Sequence, residues 1–86
     1  MNNIKNNILK NICYTKLVYG RINKKLNINY SETQIEKFIL RILKETDHNS
    51  ISKIGKNYYI LHLKTEIRIT INSNTFRVIT VDKISR

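Results

Sequence analysis

The chain has 86 residues, of which 16 are lysine or arginine and six are aspartate or glutamate, so its net charge is +10. This length holds one small domain with a modest core, and a single cysteine excludes both an intramolecular disulfide and a multi-cysteine zinc site. The basic balance predicts a polyanionic partner, with nucleic acid as the first candidate and an acidic protein as the second.

The positive charge is segregated along the chain. Residues 1–30 contain six basic residues and no acidic one, residues 31–50 are slightly acidic, and residues 51–86 are basic again. An A/T-rich coding bias is the competing explanation, because it would enrich Asn, Ile and Lys without any ligand. Segregation and the presence of five arginines favour a ligand.

The apolar runs are too short for a membrane-bound protein. No run approaches the roughly 18 apolar residues of a membrane span, and the N-terminus lacks the apolar core of a signal peptide. We therefore expect a soluble cytoplasmic protein that binds no membrane. Its small core also makes a homodimer plausible.

Two or three helices are predicted in the first half of the chain. Residues 1–12 show isoleucines at helical spacing among asparagines, which favours a helical extension that frays. A second apolar stripe covers residues 13–26, either as a continuation of the first helix or as a separate one. A capping box from Ser31 to Gln34 begins the clearest amphipathic helix, which we expect to end near Glu45.

The second half of the chain is predicted to be β-structure. After a turn cluster the apolar period changes to two, and residues 58–63 form a strand of high β-propensity. Residues 67–72 and 75–82 form a hairpin about Asn72. The order of elements predicts a single α+β domain over residues 1–86, with the helices packed on one face of a three- to four-stranded antiparallel sheet.

Strand alternation predicts which side chains stay free of the helices. The set of Tyr59, Leu61 and Leu63 is the more apolar one, so we expect it to meet the helices. Tyr58 and His62 would then lie on the free face. There they would meet Arg68, Thr70 and Asn72. Arg77 is a further candidate, although its side of the strand is ambiguous because Ile79 and Val81 share its alternation.

These residues fit metal-independent RNA cleavage, which needs a base for the 2′-hydroxyl, a cation for the phosphorane and an acid for the leaving oxygen. His62 or Lys56 would be the base. Arg68 and Arg77 would be the cations. Tyr58 would be the acid or a platform for base stacking. The chain lacks glycine-rich phosphate loops and paired carboxylates in the sheet, so we expect no metal and no cofactor.

A wider set of basic and polar residues would bind nucleic acid: Lys16, Arg21, Lys24, Lys25, Lys56, Thr70 and Asn72. The alternative for each is a solvated surface residue without a ligand, because charged and polar side chains are mostly exposed in any case.

Three segments carry a resemblance to a known family: CYTKLVYGRINKKL (13–26), GKNYYI (55–60) and IRITINSNTFRVITVDKI (67–84). Over residues 13–84 the chain resembles a family of small bacterial proteins of unknown function. The resemblance implies a bacterial, often Gram-positive, cytoplasmic protein without an assigned activity.

The element order, size and basic sheet also resemble ribonuclease toxins of the RelE and BrnT type. This looser resemblance implies metal-free RNA cleavage by Arg68, Arg77, His62 and Tyr58. The first hypothesis is thus that the chain is an RNA-binding protein. A further step of the same hypothesis is that it cleaves RNA as a metal-independent endoribonuclease of the toxin type. The alternative is a non-catalytic interaction module or inhibitor that docks an acidic protein through the helix at 31–45 or the basic N-terminal helix.

Overall fold

A computed structural model describes residues 4–84. Three helices come first and four strands follow, in the order β1-β2-β3-β4 across one sheet with each strand antiparallel to its neighbour. The predicted α+β class is therefore confirmed. The elements are α1 (Ile4–Asn11), α2 (Val18–Leu26), α3 (Glu32–Glu45), a short 3-10 helix (His48–Ser50), β1 (Ile51–Ile54), β2 (Asn57–His62), β3 (Ile67–Asn72) and β4 (Val78–Lys83).

The first two helices are separate because the chain between them joins the edge of the sheet. Cys13 forms a one-residue parallel bridge with Arg77. The Cys13 amide donates to the Phe76 carbonyl, and the Val78 amide donates to the Cys13 carbonyl, each at 3.0 Å. These bonds use the backbone groups that a continuous helix would need for itself. Of the two alternatives for the N-terminal segment, residues 4–26 have the separate helices, and residues 1–3 lie outside the described part of the chain.

The connection between α2 and α3 is fixed by local hydrogen bonds. Asn27 adopts a left-handed conformation with φ 55°, and the Ile28 amide donates to the Asn23 carbonyl at 3.0 Å, which together end α2. The capping box starts α3: Ser31 Oγ accepts from the Gln34 amide at 3.2 Å, and Gln34 Oε1 accepts from the Ser31 amide at 2.8 Å. The predicted start and end of α3 are both confirmed.

The core lies between the helices and one face of the sheet. Ile60, Ile69 and Val81 stand opposite one another on three adjacent strands, and all three are fully buried. The apolar stripe of α3 packs on this face, together with Ile8 of α1 and Ile22 of α2. The opposite face of the sheet has no helix on it in the described part of the chain. We call it the open face.

Candidate nucleic-acid interface

The structure reverses the predicted facing of β2. Ile60 is fully buried and His62 is 6% exposed, so the even-numbered side chains of this strand face the helices. Leu61 is 39% and Leu63 62% exposed, so the apolar set expected in the core is on the outside. A one-residue change of parity moves every side chain to the other face. The face prediction for Tyr58 and His62 was therefore wrong.

Tyr58 and His62 both serve the packed side of the sheet. The Tyr58 ring lies 6.3 Å from the Phe76 ring and packs against the core. His62 Nε2 lies 3.2 Å from Glu45 Oε1 at the end of α3, and His62 Nδ1 lies 2.7 Å from Thr65 Oγ1. His62 thus connects β2 to α3 and to the following turn, and both of its ring nitrogens have partners.

The open face is built from rows of side chains that stand opposite one another across the strands. One row consists of Leu61, Arg68 and Asp82. The next row consists of Ser52, Tyr59, Thr70 and Thr80. A third row ends the face with Ile54, Asn57 and Asn72.

Tyr59 is the aromatic side chain at the centre of the open face. It is half-buried, and its hydroxyl oxygen accepts from Asn57 Nδ2 at 3.4 Å. Thr70 stands beside it and is only 4% exposed, whereas Arg68 is exposed. Sequence reasoning assigned Tyr59 to the core. The pairing of Ile60 with Ile69 would have corrected this assignment, because both are fully buried and they fix which side chains of β2 face the helices.

Arg77 and Lys56 lie together at one end of the sheet. Arg77 precedes β4, is exposed, and forms the isolated bridge to Cys13, so it lies just outside the strand. The Ser73 amide donates to the Lys56 carbonyl at 2.8 Å, which holds the β1–β2 turn against the β3–β4 turn. Neither cation takes part in an ion pair within residues 4–84.

The four residues expected to perform RNA cleavage do not meet at one point. Tyr58 and His62 lie on the packed face, Arg68 lies on the open face, and Arg77 lies in the bridge to Cys13 that precedes β4. Their catalytic role stays a prediction, and the arrangement places no histidine beside Arg68.

A row of cations on α2 borders the open face. Lys25 Nζ lies 3.1 Å from Asp82 Oδ1, and Arg68 lies 3.9 Å from the other oxygen of the same carboxylate. Arg21 donates to the Ile79 carbonyl at 3.3 Å. The surface of α2 is therefore continuous with the sheet across β4. Lys24 is also exposed here, and Lys16 is exposed in the segment before the helix.

A tyrosine pair lies beside a carboxylate of α3, with Tyr19 in α2 and Tyr14 in the segment before it. The rings of Tyr14 and Tyr19 stack at 5.5 Å, and the Tyr19 hydroxyl donates to Glu36 Oε2 at 2.6 Å. Burial, together with this bond and the charge of Glu36, raises the pKa of Tyr19 to about 12. Burial and the charge of Glu36 raise the pKa of Tyr14 as well. This pair lies away from the open face.

Two other kinds of feature are absent from residues 4–84. No three His, Cys, Asp or Glu side chains in this range are grouped so that they could hold a metal ion. No helix in the same range has the length and apolar character needed to cross a bilayer.

The fold and the open face define a small α+β protein with a basic border along one edge of its sheet. Residues 6–82 match the family described as "Protein of unknown function (DUF3781)", so the chain belongs to that family. The expected membership of an uncharacterised family is confirmed. Comparison with curated proteins gave no match, and comparison with solved structures gave none either.

Proposed function

We propose that this protein binds single-stranded RNA on its open face, with the phosphates running along the cations of α2 and the end turns. The observation that carries the proposal is the placement of Tyr59 at the centre of a sheet face that no helix covers in residues 4–84. Of the cations near this face, Lys25 and Arg68 share Asp82, whereas Arg21, Lys24, Lys56 and Arg77 have no ion-pair partner in the same range. An aromatic ring on an open antiparallel sheet is a platform on which an unpaired base stacks, at about 1–3 kcal/mol per base.

The composition of the open face favours a base over a purely ionic ligand. Leu61 and Ile54 provide exposed apolar surface on either side of Tyr59, and Ser52 adds a hydroxyl in the same row. A duplex keeps its bases stacked on one another, so only a single strand presents a base to such a ring. The face therefore fits unpaired nucleotides.

The distribution of charge supports the same path. Arg21 and Lys24 lie on α2 beside β4, Lys16 precedes this helix, and Lys56 and Arg77 lie at or beside the two turns at one end of the sheet. The carboxylates of Glu45, Asp47 and Glu66 belong to segments at the opposite end of the sheet. A strand that crosses Tyr59 from the end turns to α2 therefore passes mostly cations, and the one carboxylate in the rows of the open face, Asp82, is paired with Lys25 and Arg68.

RNA cleavage of the toxin type is an extension of this proposal and rests on the resemblance to RelE- and BrnT-type toxins. It needs a base beside the bound phosphate, and His62 lies on the other side of the sheet with Glu45 and Thr65 as partners. The geometry thus favours binding without cleavage.

The test is fluorescence anisotropy of a labelled single-stranded RNA of roughly 12 nucleotides, a length within the range that one small domain covers. Tyr59→Ala should weaken binding about 10-fold, whereas Tyr59→Phe should keep it because the ring remains. Tyr30→Ala removes an equally large side chain from the helix side and should leave RNA affinity unchanged. Absence of RNA binding at low salt, or equal affinity of Tyr59→Ala and the unchanged protein, would overturn the proposal.

A further inference from the structure

A groove with an aromatic floor lies on the helix side of the molecule, between the α2–α3 connection and the ends of β3 and β4. One lobe is a cleft of about 380 Å³ with apolar walls that include Leu26, Ile28 and Ile67. A second lobe of about 370 Å³ continues along α3. Tyr30 and Phe38 line both lobes and pack edge to face at 5.9 Å, so we call this the Tyr30–Phe38 groove.

The aromatic floor is held in place before any ligand binds. Asn23 Nδ2 donates to the Tyr30 carbonyl, and the Tyr30 amide donates to Asn23 Oδ1, each at 3.0 Å. The capping box of Ser31 follows immediately and fixes the start of α3, which carries Phe38. A rigid site of this kind loses little conformational entropy on binding, so more of the contact energy appears as affinity.

The rims of the groove are mostly positive. Lys37 and Arg41 line the lobe along α3, and Lys83 lines the other lobe, where Glu66 is the one carboxylate. The Arg41 guanidinium lies 5.8 Å from the centre of the Phe38 ring. Lys37, Arg41 and Lys83 take part in no ion pair in the part of the chain that the structure describes. Charge complementarity therefore favours an acidic occupant.

We infer that the Tyr30–Phe38 groove docks an acidic segment of a partner protein, with an aliphatic or aromatic anchor in the apolar lobe and carboxylates against Lys37 and Arg41. This site is separate from the open face and does not depend on RNA binding. A phosphate backbone suits it poorly because the lobe with the Leu26, Ile28 and Ile67 walls is also lined by the carboxylate of Glu66, which repels phosphate. A second copy of the chain suits it poorly because each copy carries a net charge of +10.

The probe is a fluorescein-labelled synthetic peptide that alternates leucine and phenylalanine anchors with glutamates. Two matched peptides replace either the anchors by serine or the glutamates by lysine. The intact protein should bind the first peptide at least about 10-fold more tightly than either matched peptide, because the groove needs both the apolar and the charged contact.

Two double variants separate the groove from general attraction between charges. The double variant Lys37→Glu with Arg41→Glu should lower the affinity for the acidic peptide at least about 10-fold, because both new carboxylates repel the glutamates of the peptide. The double variant Arg21→Glu with Lys24→Glu makes the same change of net charge on α2. It should lower the affinity for the acidic peptide by less than about threefold at moderate salt. Both pairs are exposed, so the fold should be retained.

Several outcomes would overturn the inference. These are no measurable peptide binding, equal losses in the two double variants, equal affinity for the serine peptide, or displacement of the peptide by RNA in the Arg21/Lys24 variant. Sedimentation that shows a dimer lost only in the Lys37/Arg41 variant would assign the groove to a second copy instead.

Discussion

Asp82 Oδ1 lies 3.1 Å from Lys25 Nζ, so the last strand of the sheet is tied to α2 by an ion pair. The carboxylate is 21% exposed and its second oxygen lies 3.9 Å from Arg68. The one acidic side chain in the rows of the open face therefore stands where that face meets the basic border. It partly neutralises two cations that a phosphate would otherwise contact.

We expect Asp82→Asn to bind single-stranded RNA more tightly, by about 3- to 10-fold at low salt, because close charges at an interface are worth about 1 kcal/mol or more. Asp47→Asn is the matched control, since it removes the same charge next to β1, at the opposite edge of the sheet from β4. Anisotropy titrations of both variants provide the comparison. Equal gains in the two variants would show that only net charge matters and that the position of Asp82 does not.

Lys24 should contribute one phosphate contact to the complex. Each contact with single-stranded nucleic acid adds about 0.7 to the slope of log affinity against log salt, so Lys24→Ala should make that slope shallower by about 0.7. Titrations between about 50 and 200 mM salt measure it. Lys37→Ala on α3 is the control and should leave the slope unchanged. A shallower slope in the control alone would place the RNA on the helix side.

His62 should be a structural residue. His62→Ala removes a buried ring that contacts both Glu45 and Thr65, and we expect a loss of about 1–3 kcal/mol in the free energy of unfolding. Urea unfolding measures this loss. His48→Ala, in the exposed 3-10 helix, should change stability by less than about 0.5 kcal/mol.

The same variant tests the predicted catalytic role. If any RNA cleavage is detected, His62→Ala should reduce it no more than the loss of folded protein requires. A complete loss of cleavage in a fully folded His62→Ala protein would restore the histidine as a catalytic residue.

Local signals in the sequence were sufficient to predict α3. The capping hydrogen bonds of Ser31 and Gln34 depend on residues three apart, and the helix ends at Glu45 as its apolar stripe predicts. Local signals did not predict which side chains of β2 face the helices. Tyr59 and Leu61 looked like core residues, but the parity is set by the pairing of Ile60 with Ile69 and by the helices that cover it. That pairing joins two strands, so the sequence of β2 alone does not contain it.

The position of Arg77 also depends on residues that are distant in the sequence. The return strand begins at Val78, later than alternation indicated, because Cys13 pairs with the chain at this point and Phe76 takes a positive φ of 59°. A residue more than sixty positions away therefore decides that Arg77 pairs with Cys13 instead of extending β4. The candidate site changed accordingly, from a cluster around His62 to a face centred on Tyr59.

Tyr14 and Tyr19 should make the free energy of unfolding fall with rising pH in the alkaline range. Tyrosine in an unfolded chain has a pKa of about 10, whereas the pKa of Tyr19 is raised to about 12 and that of Tyr14 is also raised. The stabilisation is therefore present in full below about pH 10 and is lost as the pH rises toward 12, because the unfolded chain releases protons that the folded chain keeps.

Urea unfolding at about pH 9 and pH 11 should show this fall, and Tyr19→Phe should make the fall smaller because it removes one of the two hydroxyls. Glu36→Gln should lower the pKa of Tyr19 by removing the carboxylate that accepts its proton at 2.6 Å. Tyrosinate absorbance near 295 nm follows the ionisation directly. Full ionisation of all five tyrosines of the folded protein by about pH 11 would contradict the raised pKa of this pair.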